Sequence, residues 1–116
     1  MNTALAAAAP ASGQVRDFMQ HRLERALRER VRYRYVHPLV LREGDGFRIQ
    51  SPCCSRNVDP DGGMIDIALL LPSAAQRWCL SARDHVNGVW VLRFQDQPLD
   101  VLLDLLCVDN ERQFWP

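Results

Sequence analysis

The side chains able to carry chemistry gather most densely at Cys53-Cys54-Ser55-Arg56-Asn57, in a turn-rich run that continues through Asp59-Pro60-Asp61-Gly62-Gly63. The thiolate is the nucleophilic form of cysteine, and a nearby guanidinium favours it. Cys53 or Cys54 beside Arg56 is therefore a candidate thiol site. Asn57 adds hydrogen-bonding capacity, and His37, at the bend before Pro38, is a base that folding could bring to the thiols; His85 is another. Long irregular segments are uncommon in small domains and often carry function, so Cys53, Cys54, Arg56, Asn57 and His37 form the candidate ligand or thiol site. The same two cysteines also fit an unreactive role, tucked against the core.

No metal-ligating residues are assigned, and metal binding is kept only as an alternative to thiol chemistry on the Cys53–Gly63 loop. Zinc sites commonly use C-x-x-C pairs that bring two thiolates to one ion, and Cys53, Cys54, Cys79 and Cys107 contain no such spacing. Asp59 and Asp61 lack the ligand spacing of a calcium loop and fit a turn held by side-chain to backbone hydrogen bonds. All fourteen basic residues are arginine, so the carboxylate and lysine pattern of many metal-dependent nucleases is incomplete. There is no Gly-rich phosphate loop, nucleophile elbow, H-E-x-x-H or dinucleotide fingerprint, and no cofactor is expected.

Arginines also define a nucleic-acid alternative. Arg22, Arg25, Arg28, Arg32 and Arg34, with Arg30, lie close in sequence beside Tyr33 and Tyr35, a combination suited to phosphate contacts and base stacking. Against it, the sequence pI is about 6.8, whereas nucleic-acid domains commonly exceed about 9. Charge is nonetheless uneven: residues 1–58 hold ten Arg against five acids, and residues 59–116 hold four against nine. Asp66 stands in an otherwise apolar stretch, where a carboxylate must be paired or face water. An arginine from the N-terminal half is its expected partner.

The elements that must position these residues follow from hydrophobic period. Val15, Phe18, Met19, Leu23, Ala26 and Leu27 recur at helical steps after Ser12, a candidate cap, and predict a helix over 13–30. From Arg30 the period becomes two and predicts a strand, with Arg30, Arg32 and Arg34 on its polar side. Leu39-Val40-Leu41 and Phe47-Arg48-Ile49 flank Glu43-Gly44-Asp45-Gly46 as a hairpin. Met64–Leu71 reads as a strand buried on both faces, and strands centred on Trp78 and Trp90 form a second hairpin. Pro98 opens a helix with Leu99, Leu102, Leu103 and Leu106 inward and Asp100 and Asp104 outward; it ends at Asp109.

The order Trp78-x-Leu80-x-x-Arg83, a strand around Trp90, Pro98-Leu99-x-x-Leu102-Leu103, then Asp109 and Phe114-Trp115 resembles a small bacterial family of unknown function. Its members run about this length and close on an acidic residue followed shortly by Phe-Trp. The resemblance covers mainly the C-terminal forty residues, does not extend to Cys53–Asn57, and implies a fold but no catalytic residue.

The expected fold is α+β: an N-terminal helix, a mostly antiparallel sheet of about five strands, and a C-terminal helix packed on the sheet, with the aromatic tail returning to the core. Residues 1–11 read as a disordered leader and 12–116 as a single domain. No apolar run reaches the roughly 20 residues that span a bilayer, no signal peptide is evident, and the expected location is cytoplasmic. The favoured role is an interaction or regulatory module, with an unknown protein partner or a homodimer on the sheet face that the helices leave free; Tyr33, Tyr35, Trp78 and Trp90 are its candidate aromatics.

Overall fold

A computed structural model describes residues 13–30, 37–53 and 62–116. The expected leader, the Ser12 cap and all but the first residue of the Arg30–Tyr35 strand lie outside them. Among the described residues two helices and five strands follow in the order α1 (Gly13–Arg28), β1 (Leu39–Glu43), β2 (Gly46–Pro52), β3 (Met64–Ala74), β4 (Arg77–Asp84), β5 (Val89–Gln97) and α2 (Leu99–Val108). This is an α+β fold. The sheet is antiparallel throughout, in the order β1-β2-β3-β4-β5, so each strand pairs with its neighbours in sequence.

Helix α1 lays Leu23 and Leu27, both fully buried, against the sheet. It stops two residues before the predicted end: the amides of Glu29 and Arg30 donate to Ala26 and Leu27 in a tightened last turn. Arg30 then points inward. It is 1% exposed, its guanidinium lies 4.6 Å from the Trp115 ring centroid, and Nη1 donates to the Leu27 carbonyl at 2.6 Å. The alternation from Arg30 placed it on a polar strand face. The structure corrects this, because an indole face and a helix-end carbonyl offer a buried cation what water would.

Strand parity divides the sheet cleanly. The paired row Val40, Ile49, Ala68, Ala82, Val91 faces the helices, as does the row containing Phe47, Leu70, Leu80 and Phe94. Trp78 also turns to this side and stacks on Phe47 at 6.3 Å. A register shift between Ile49 and Gln50 brings both Ile67 and Ala68 inward. β3 was expected to be buried on both faces. It is buried on one: Ile67, Ala68 and Leu70 are inside, whereas Met64 is 46% and Leu71 40% exposed.

Helix α2 buries the predicted stripe Leu99, Leu102, Leu103 and Leu106 and keeps Asp100 outside, where it pairs with Arg22 of α1. Pro98 is its N-cap rather than a residue of the first turn. At the other end Asp109 adopts φ 47°, the left-handed conformation that turns a chain back at a helix C-terminus. Its buried carboxylate accepts the amides of Gln113 at 2.7 Å, Phe114 at 3.1 Å and Trp115 at 2.9 Å. Trp115 Nε1 donates to the Leu106 carbonyl at 2.9 Å, and both aromatics enter the core as expected.

Candidate interaction face

The face of the sheet away from the helices is built from the other parity. One row across all five strands reads Leu41, Arg48, Leu69, Ser81, Leu92; the next holds Leu39, Gln50 and Asp66, with Arg83 and Trp90 paired on its far side. No described element crosses this face. Leu39 and Leu92 are half exposed, and Cys79 and Leu71 form a further pair beyond the central row.

Its centre is polar and internally matched. Asp66 Oδ1 accepts from Arg48 Nη1 at 3.2 Å and from Gln50 Nε2 at 2.9 Å, while Arg83 Nε lies 4.0 Å from Oδ2. Arg48 also reaches Glu43 at 3.4 Å, and the Arg83 guanidinium lies 5.1 Å from the Trp90 ring centroid. The N-terminal arginine expected for Asp66 is thus Arg48, one strand away. Two cations and two carboxylates balance in charge between leucines on the first strand and Trp90 with Leu92 on the last, although Arg48 Nε is buried without a hydrogen-bond acceptor among the described residues.

A family profile described as a domain of unknown function, DUF3024, matches residues 11–116. The chain belongs to that family. No curated protein and no solved structure matches it. All of the described strands and helices of this DUF3024 protein, and its aromatic tail, fall inside the matched span, in keeping with the likeness read from Trp78 to Trp115.

The predicted thiol site is only partly placed. Cys53 is half-buried at the end of β2, its amide donating to the Gly63 carbonyl at 2.9 Å, while Cys54, Arg56 and Asn57 lie outside the described residues. His37 is exposed just before β1. Among the described residues no group of three metal-ligating side chains converges. Cys107 is a core thiol: it contacts the Ala26 carbonyl at 3.5 Å, and burial pushes it up to about 11. Of the arginine cluster, Arg22 is engaged with Asp100, Arg25 and Arg28 are exposed on the last turn of α1, and Arg32 and Arg34 are not described. Trp90 lies on the open face, Trp78 does not, and Tyr33 and Tyr35 are not described.

His85, the second base offered for the thiols, sits in the β4–β5 turn beside the open face, where the charges of Arg83 and Asp66 act on it. The turn is set by Asp84, whose carboxylate accepts the amides of Val86 and Asn87, each at 3.1 Å, and the Asn87 side chain at 2.8 Å. Burial, then the Arg83 charge, hold the imidazole below its ordinary range, against Asp66 and Asp84. The folded state therefore takes up the proton later than the unfolded chain, whose pKa is about 6.5. The stability from neutral His85 is complete above that value and is lost as pH falls from it toward the folded pKa. The urea midpoint should fall between pH 7.5 and 5.5, and His85→Gln should flatten this slope; an equal slope in the variant excludes His85 as its cause.

Proposed function

We propose that this protein is an interaction module whose working surface is the open sheet face. The supporting observation is its composition: exposed leucines and Trp90 surround an ion-pair centre in which Arg48, Asp66 and Arg83 are already matched. Half-exposed leucines gathered on one face, around ion pairs that need no outside partner, suit a surface that another molecule covers. Aromatic and arginine side chains dominate such contacts when water is excluded from them.

Cys79, partly buried on this face, is a native reporter. In dilute purified protein it should be alkylated readily, with Cys107 far slower because few of its thiols ionise near neutral pH. In the cells that make the protein, Cys79 labelling should slow several-fold while the Cys107 rate is unchanged. Equal Cys79 rates in the two settings would overturn the reading.

A further inference from the structure

We infer that two copies of this chain pack their open sheet faces together about a two-fold axis running along β3. The inference rests on the interaction-face reading and names its occupant.

Charge selects the occupant. At its centre the face carries Arg48 and Arg83 against Asp66 and Glu43, which engage one another within the chain, while Arg77, on the same parity at the start of β4, donates to the Asp96 carbonyl. A polyanion or an acidic membrane surface finds little net field at that centre to attract it. In an isologous contact, by contrast, the same patch meets itself, so any net charge repels itself and a balanced patch does not.

Position selects the axis. A two-fold axis along the central strand exchanges β1 with β5 and β2 with β4. Leu41 then lies over Leu92 of the second copy, because the two occupy one row at opposite edges of the sheet, and Leu39 comes to the side of its Trp90, which pairs with Arg83 beside Asp66. Arg48 falls over Ser81 and Arg83 over Gln50, so no arginine faces an arginine. Asp66 meets its counterpart, each carboxylate held by Arg48 and Gln50 of its own chain and approached by Arg83. Aligned packing of two twisted sheets at about 10 Å is a standard solution for apolar sheet faces.

Size fits the low end of specific complexes. Five strands span about 24 Å, and a seven-residue strand such as β2 spans about 23 Å, a flat area of about 550 Å². Side-chain relief brings such a face to the roughly 600 Å² that each partner buries in the smaller specific complexes.

Sedimentation of the purified full-length chain tests this. The wild type should show twice the chain mass at about 100 µM. Leu41→Asp and Leu92→Arg should each weaken association at least about tenfold. Mixing these two variants, or combining them in one chain, should restore the dimer, because the acid of one copy then lies over the cation of the other. The two sites are about 19 Å apart within a chain and cannot rescue each other there. Should Leu41→Asp fail to fold, Leu39→Asp against Trp90→Arg tests the same axis. A wild type that stays monomeric, a dimer indifferent to both substitutions, or a mixture that stays monomeric would each overturn the inference. Were the protein monomeric while Cys79 remained covered in cells, the interaction-face reading would survive with another occupant.

Discussion

Deleting residues 113–116 is expected to lower stability by about 3–5 kcal/mol, the scale for removing a large buried aromatic. Two are lost here, Phe114 at 4% and Trp115 at 1% exposure, along with the indole lid over Arg30. The sharper test leaves the aromatics in place. Asp109→Ala removes the acceptor for three amides, of which those of Phe114 and Trp115 are buried, and forces alanine into a left-handed conformation. Orphaned buried donors cost about 1–3 kcal/mol each before relaxation, and the backbone strain adds about 1–2 kcal/mol, so a loss of about 3 kcal/mol or more is expected. Asp109→Asn keeps one acceptor oxygen and tolerates the left-handed backbone, so it should cost roughly half as much. The ordering Ala worse than Asn, read from urea midpoints and Trp fluorescence, identifies the carboxylate as the anchor of the tail. Equal midpoints for wild type and Asp109→Ala would refute it.

The elements that were legible in the sequence are those specified locally. Alternation and the Gly44 turn marked the first hairpin, the Asp84–Gly88 turn the second, and four leucines at helical spacing the last helix. Asp66 was legible for a different reason: an unmatched carboxylate in an apolar strand is too costly to leave, so a partner had to exist, and Arg48 is that partner. The return of Phe114-Trp115 followed from size alone. Its anchor did not, since Asp109 acts through a left-handed turn that only the folded backbone defines.

Other features depend on contacts far apart in sequence. Met64–Leu71 is so apolar that alternation is lost, which hides the fact that Leu69 and Leu71 face outward; only the pairing with Arg48 and Cys79 reveals their side. Arg30 read as one more surface cation in a basic run. What removes it from that run is the Trp115 ring, 85 residues later. The cysteine segment stood out by composition, but of its named side chains only Cys53 falls among the described residues. The sheet face was legible only as a consequence of putting both helices on one side.

Gly46 supplies the second large effect. A Cβ built on this first residue of β2 would fall on the carbonyl oxygen of Leu70 in β3 and 2.9 Å from Leu71 Cδ2. The side chain could rotate away, but the carbonyl belongs to the ladder and cannot. Gly46→Ala must therefore push β2 from β3 where Phe47 pairs with Leu70, both buried in the core. Overpacking of this kind costs about 1–3 kcal/mol and sometimes more, and Gly46→Val should exceed it because the branched side chain adds bulk at the same contact. Gly44 is the internal comparison, two residues away in the same turn. Its φ is +56° and nothing lies within 4 Å of a Cβ there, so Gly44→Ala pays only backbone strain, about 1 kcal/mol. At roughly 4 °C per kcal/mol for a chain of this size, Gly46→Ala should melt well below Gly44→Ala. If the two variants melt together, or Gly44→Ala is the worse, the close approach of β2 to the Leu70 carbonyl does not limit this position.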